Sequence, residues 1–253
     1  MILYYSGTGN SWMIANRGEW MGEIPVSMNR RIKDGCTEQV SVNERVVFVM
    51  PVYSGRPPRI VYEHIMNTEF TGCMKAYFVG ACNGRPWDSE RFSKNLCRKK
   101  GWKFMGFNFL VMSQCNIMMH KMLSPEENEN IIREAMPKVE QIAELISAGT
   151  PLLPDKKAFP LMTDIGAPMT DFFYQMKAKK FYVTDACIGC GKCAKICVNN
   201  NITLVDKNLY GNRTVWPVYL VYRPVRLQLY NMIRKRRIPD AIIKRSTSSE
   251  FLE

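Results

Sequence analysis

The run at residues 45–52, Arg-Val-Val-Phe-Val-Met-Pro-Val, has no polar side chain after its first residue. A strand with one wet face alternates apolar and polar positions. This one does not alternate, so it is predicted to be covered on both faces. Residues 76–81 (Ala-Tyr-Phe-Val-Gly-Ala) repeat the pattern, and residues 1–5 and 103–112 read as two further strands. The spacers between them are helical. Trp12, Met13, Ala15 and Asn16 open a helix predicted to end at Gly18 or Gly22, and residues 59–66 set Ile60, Val61 and Ile65 on one side. Asp88 is placed to cap a helix that stops before Gly101. Ser124, Pro125 and Glu127 mark the strongest helix start. Ala135, Val139, Ile142 and Ile146 carry its apolar stripe, Gly149 and Pro151 close it, and Pro137 predicts a kink. Strands alternating with helices give an α/β domain with a doubly wound parallel sheet over residues 1–150.

With 46% hydrophobic and 23% charged residues among 253, a chain of this kind buries a core, and wholesale disorder is excluded. No run approaches the ~18 apolar residues of a membrane span. The opening Met-Ile-Leu-Tyr-Tyr lacks the charged and then long apolar regions of a secretory signal. Nine cysteines would suit a disulfide framework, but the number is odd and the spread lopsided. Cys36, Cys73, Cys82, Cys97 and Cys115 stand singly, whereas Cys187, Cys190, Cys193 and Cys197 are bunched. Scattered thiols plus one tight cluster predict a reduced, cytoplasmic protein with a metal centre.

In a parallel α/β sheet, the turn after the first strand aims backbone N–H groups from the start of a helix, and ligands bind at the strands' carboxyl ends. Here that turn is Ser6-Gly7-Thr8-Gly9-Asn10-Ser11. A dinucleotide fingerprint beginning at Gly7 and Gly9 fails at Trp12, where glycine is needed. A P-loop is excluded because no Gly-Lys-Ser/Thr follows. No lysine or arginine occurs from Met1 to Asn16. The loop would therefore hold a terminal phosphate through hydroxyls and backbone amides alone.

This loop resembles the phosphate loop of flavodoxins, whose Ser/Thr-x-Thr-Gly-x-Ser/Thr pattern is met by Ser6, Thr8, Gly9, Asn10 and Ser11. The resemblance implies FMN. It also implies that the isoalloxazine ring lies between two later loops, Pro51-Val52-Tyr53-Ser54-Gly55 and Ala81-Cys82-Asn83-Gly84. Tyr53 would stack on the ring, and backbone groups around Asn83 and Gly84 would meet its pyrimidine edge. The plainer alternative makes these ordinary turn residues, with Cys82 a small buried hydrophobe.

Cys187-Ile-Gly-Cys190-Gly-Lys-Cys193-Ala-Lys-Ile-Cys197 has the spacing C-x2-C-x2-C-x3-C of bacterial ferredoxins, which hold a [4Fe–4S] cluster through thiolates. Gly189 and Gly191 permit the tight backbone. A zinc site wants two separated pairs, often with histidine, and the only histidines are His64 and His120. Cys197 is followed by Val198 where proline is usual. In two-cluster ferredoxins the fourth cysteine ligates the other cluster, and this chain has no second run and no cysteine after Cys197. One cluster at most is clearly supported, and its fourth ligand is left open.

A flavodoxin-like domain followed by such a run resembles the flavodoxin–ferredoxin fusion proteins of anaerobic bacteria, over residues 1–206. The resemblance implies an FMN-binding domain at 1–150 and a small ferredoxin-like α+β iron–sulfur half-domain at 181–206, joined by a linker or helix at 151–180; residues 172–180 read as one helix leading into the cysteine run. Residues 199–204 match the strand that follows the first cluster. The implied role is electron transfer between a [4Fe–4S] cluster and FMN and onward to a redox protein, as donor or acceptor. The lack of a His/Asp/Glu constellation near the flavin loops favours a carrier over an enzyme. The alternative is a flavin-dependent reductase of a small substrate, fed by the cluster.

The net charge of +12 raises nucleic acid or an anionic membrane as partners. Yet +7 of it lies in residues 207–253, with ten basic and three acidic residues, and the body is only mildly basic. No specific nucleic acid is expected. Lys192 and Lys195 offer a docking point for an acidic redox partner. The tail fits three descriptions: a basic amphipathic segment for nucleic acid or membrane, a divergent helix packed on the body, or the product of a shifted reading frame. The joint loss of cysteines, acids and resemblance favours the last.

Overall fold

The structure, a computed structural model, describes residues 1–17, 22–72, 74–113, 123–153, 176–177, 188–205, 208–211 and 214–215. Its centre is a five-stranded parallel sheet of β1 (Ile2–Tyr4), β2 (Val26–Ser27), β4 (Arg45–Pro51), β6 (Lys75–Cys82) and β7 (Lys103–Val111). The spatial order is β2-β1-β4-β6-β7. Numbering only these five strands along the chain gives 2-1-3-4-5, the flavodoxin-like order, with its switch point between β1 and β4. The N-terminal part is therefore a flavodoxin-like α/β fold. A parallel pair, β3 (Val40–Val42) and β5 (Phe70–Gly72), forms a separate ribbon.

The unbroken apolar run of β4 is explained by its two neighbours in depth. Val46, Phe48 and Met50 join one buried cluster, to which Val61 and Ile65 of α3 (Arg59–Asn67) and Leu96 and Cys97 of α4 (Ser89–Lys100) contribute. Val47 and Val49 join a second cluster on the opposite face, with Ile14 and Ala15 of α1 (Asn10–Arg17) and Val139, Ile142 and Ile146 of α5 (Pro125–Ser147). Alternate side chains thus meet different helix layers, and neither set can be polar.

Local chemistry sets several element ends as the sequence suggests, but Asp88, at the N-cap position of α4, makes no side-chain capping bond; its Oδ2 accepts from Arg91 Nε at 2.5 Å. Ser124 and Glu127 form a reciprocal capping box at α5, and Gly101 ends α4 in the left-handed conformation at φ 70°. Helix α5 continues through Pro137 as one helical element. In β7 the register shifts between its pairings with Ala76 and Phe78. Gly106 lies at this bulge with φ 118°, and a Cβ there would sit 2.4 Å from the Leu152 carbonyl oxygen.

Several elements lack a sequence signal: β2, β3, β5 and the six-residue helix α2 (Met28–Lys33). They are too short to show a period. The helix expected at residues 172–180 is corrected where it is described. Met176–Lys177 is a strand, β8, paired antiparallel with β11 (Thr214–Val215). Strand partnership outweighs the local helical composition there. Around the cysteine run come α6 (Lys192–Ile196) and an antiparallel pair of β9 (Ile202–Val205) and β10 (Asn208–Gly211). That pair crosses the boundary expected between residues 206 and 207. The rest of the basic tail, from residue 216 on, lies outside the described residues.

Candidate functional site

Strand register brings three loops to one level. Leu3 pairs with Phe48 and Tyr4 with Val49, and the Tyr5 N–H donates to the Val49 carbonyl at 3.0 Å. Pro51 pairs with Ala81, and Ala81 with Leu110. The chain leaving β1 at Ser6, the loop after β4 and the loop after β6 therefore emerge side by side at the carboxyl ends of the strands, on the switch point.

The first loop is internally braced. The Gly9 N–H donates to Ser6 Oγ at 3.0 Å, and the Gly9 carbonyl accepts the first helical bond of α1, from Met13 N–H at 2.8 Å. Gly9 takes φ 102°, a region closed to side chains. Ser6, Gly7, Gly9 and Ser11 are buried, while Thr8 and Asn10 are half-buried. Asn29 on α2 grips Ser6 twice: its Oδ1 accepts the Ser6 N–H at 2.9 Å, and its Nδ2 donates to the Ser6 carbonyl at 2.8 Å. The loop thus caps the positive end of an eight-residue helix whose first N–H groups have no acceptor within the helix.

The second loop is a two-residue turn. Tyr53 and Arg56 exchange backbone bonds at 2.7 and 3.1 Å, and Ser54 and Gly55 both have positive φ, 50° and 82°. Two successive positive values define a type I′ turn. It holds Tyr53 half-buried beside the switch point. Val52 donates to the Ala81 carbonyl at 2.9 Å, tying this loop to the next.

In the third loop Asn83 and Gly84 are exposed, with Gly84 at φ 110°. Cys82 is part of the buried core, and its Sγ lies 3.8 Å from the Gly84 carbonyl oxygen. Trp87 follows with φ 51° and is 42% exposed. A bulky residue in the left-handed region stores strain, and such strain clusters at ligand clamps.

Ser113, just after β7, adds a fourth point. Its hydroxyl is buried and has no hydrogen-bond partner among the described residues, while its carbonyl accepts from Asn10 Nδ2 at 2.9 Å. An orphaned buried hydroxyl beside an uncharged, donor-rich helix start suits a polyhydroxylated, phosphorylated ligand. The residues present fit FMN on that test. Sequence pattern alone reveals neither Asn29 nor Ser113 nor Trp87. Asn29 lies in a helix without apolar period, and the other two matter through burial and backbone angle.

In the cysteine run, Cys187 lies outside the described residues. Cys190 is exposed, Cys193 is buried and Cys197 is half-buried. Gly189 and Gly191 have φ 70° and 69°, the left-handed turns that the tight spacing requires. The Asn201 N–H donates to Cys197 Sγ at 3.3 Å. Cysteine thiolates are the donors that an iron–sulfur cluster takes. Among the described residues, however, no three His, Cys, Asp or Glu side chains gather to hold a metal ion. Burial, and to a lesser degree the electrostatic influence of Cys197, pushes the Tyr5 hydroxyl above its ordinary range.

Among solved structures, the chain is similar to the metal-soaked Flv1 flavodiiron core from Synechocystis sp. PCC6803, at 15% identity and a TM-score of 0.32 over 57% of this chain and 36% of that one. It is also similar to the Trp repressor binding protein from Bacillus subtilis, at 12% identity and a TM-score of 0.34 over 56% and 96%. A third is two-electron reduced Megasphaera elsdenii flavodoxin, at 15% identity and a TM-score of 0.31 over 55% and 99%. The chain spans about a third of the length of the flavodiiron core. No protein-family model matches it, and neither does any curated protein. Among the described residues no helix is long and apolar enough to cross a membrane.

Proposed function

We propose that this chain is an electron-transfer flavoprotein. FMN would sit on the switch point, and Cys187, Cys190, Cys193 and Cys197 would serve a single [4Fe–4S] cluster. The observation that carries the reading is the braced, cation-free loop at residues 6–11. It faces the start of α1, and the loops at residues 51–55 and 81–87 emerge at the same level.

Ser6, Thr8, Asn10 and Ser11, with the backbone of Gly7 and Gly9, would hold the terminal phosphate through neutral donors. The site then gains affinity from directional hydrogen bonds and the helix end, with no charged side chain. Tyr53 would cover one face of the ring and Trp87 would flank it, keeping water from the ring system. Backbone groups at Asn83 and Gly84 would meet the ring's polar edge. FMN supplies interconversion between one- and two-electron chemistry, while the protein supplies position and surroundings. A redox protein, acidic toward Lys192 and Lys195, is the partner this surface fits.

The test is anaerobic reconstitution of the full chain. FMN fluorescence should quench on titration to one equivalent per chain, and iron analysis should give about four iron per chain. A chain that binds no FMN overturns the flavin reading. A chain that binds FMN but retains no iron overturns the cluster reading alone. Faster turnover with a small reducible substrate than with a ferredoxin would favour the reductase alternative.

A further inference from the structure

Helix α2 carries Asn29 and Lys33, which are four residues apart and so share a face. Asn29 grips the loop at Ser6. One turn further on, Lys33 grips the cysteine segment. Its Nζ donates to the Ala194 carbonyl at 3.3 Å, the Cys197 carbonyl at 3.1 Å and Asn200 Oδ1 at 2.9 Å. Asn200 returns a bond from Nδ2 to the Lys33 carbonyl at 2.7 Å. Three acceptors use the full donor capacity of an ammonium group.

The acceptors are well chosen. Ala194 belongs to α6 and Cys197 caps it, so their carbonyls lie at the negative end of a short helix, and Lys33 adds a charged donor to oxygens that already accept the Cys197 and Asn200 N–H groups at 3.3 and 3.0 Å. The contact is also apolar. Val198 is buried in the same cluster as Leu3, Tyr5 and Met28.

We propose that Lys33 is a positioning residue that fixes the cysteine segment against α2, so that one face of one short helix holds both the phosphate loop and the cysteine run. The two redox elements then form a single body and not two domains on a tether. The docking stands on the hydrogen bonds and packing alone. Its consequence for electron flow rests on the function proposed above.

The test uses the full chain, first without cofactors under reducing, anaerobic conditions. Iodoacetamide labelling of Cys193, which is 2% exposed, reports whether the segment is docked. Labelling should be slow in the wild type. It should be roughly tenfold faster or more in Lys33→Met, from the loss of charge-assisted hydrogen bonds. Lys33→Arg should restore protection, and Arg30→Met, which removes an exposed charge from the same helix, should change nothing. Equally fast labelling of Cys193 and Cys190 in the wild type, or unchanged labelling in Lys33→Met, would overturn the docking. In the reconstituted protein, Lys33→Met should slow flavin–cluster electron equilibration after flash reduction, again by roughly tenfold or more. FMN affinity and iron content should stay unchanged. Unaltered equilibration would overturn the positioning role. Failure to bind FMN or iron counts against the proposed function and leaves the labelling result to decide the docking.

Discussion

Asn10 donates from Nδ2 to the carbonyl of Ser113 at 2.9 Å, across 103 positions of sequence. The bond ties the first residue of α1 to the chain leaving β7, two strands beyond the switch point. Ser113 is thereby held near the phosphate loop, and among the described residues its own hydroxyl has no partner.

That arrangement separates stability from binding. In Ser113→Ala a hydroxyl with no partner among the described residues is removed from the interior, so the FMN-free protein should be as stable as the wild type or more so, by up to about 1 kcal/mol. FMN affinity should fall, because the hydroxyl would bond to the ligand. Urea unfolding and FMN fluorescence titration read the two effects. Unchanged affinity would remove Ser113 from the site.

Asn29→Ala should act in the opposite sense on stability. The variant strips partners from both the N–H and the carbonyl of Ser6, and burying an unpaired polar group costs about 1–3 kcal/mol. The melting temperature should fall and FMN binding should weaken together, with far-ultraviolet circular dichroism unchanged. Asn29→Asp, which keeps the acceptor for the Ser6 N–H and loses the donor, should lie between the two.

At the other end of the sheet Arg45 is buried, donates to the carbonyls of Ile146 and Ser147, and pairs with Glu44 at 2.6 Å. It closes the C-terminus of α5 far from the carboxyl ends of the strands. Arg45→Met should cost on the order of 3 kcal/mol in urea denaturation. FMN affinity per folded molecule should not move.

His64 on α3 supplies a pH dependence. Burial, helped by the nearby Arg31 charge, lowers its pKa from the ordinary 6.5. Below that value the unfolded chain binds a proton more readily than the folded one, so protonation favours unfolding. The stabilising contribution is present above about pH 6.5 and is lost as pH falls through the lower folded value. His64→Gln should flatten the slope of unfolding free energy against pH between 5 and 7. An unchanged slope would assign it to other groups.

How legible the molecule is from sequence depends on how long each signal runs. The seven-residue β4 and the capped α5 declare themselves because burial on two faces, or a helical stripe, repeats over many positions. The order of the sheet strands does not, since β2 is only two residues long. The phosphate loop is readable because its chemistry is local. Its bracing by Asn29 and Ser113 is not, because those contacts join distant positions through tertiary packing. The helix expected at residues 172–180 fails at Met176–Lys177 for the same reason, since a strand at residues 214–215 supplies the pairing.

Val198 shares its buried cluster with Leu3 and Tyr5. Synthesis on the ribosome is vectorial, at roughly 5–20 residues per second, so the first strand's neighbours wait on the order of ten to forty seconds for the residue that completes their packing. During that interval an apolar patch beside β1 stays open to solvent or to a chaperone. The cysteine segment closes that patch as it docks. Final maturation of the N-terminal fold is then timed by the emergence of the part of the chain that would carry iron.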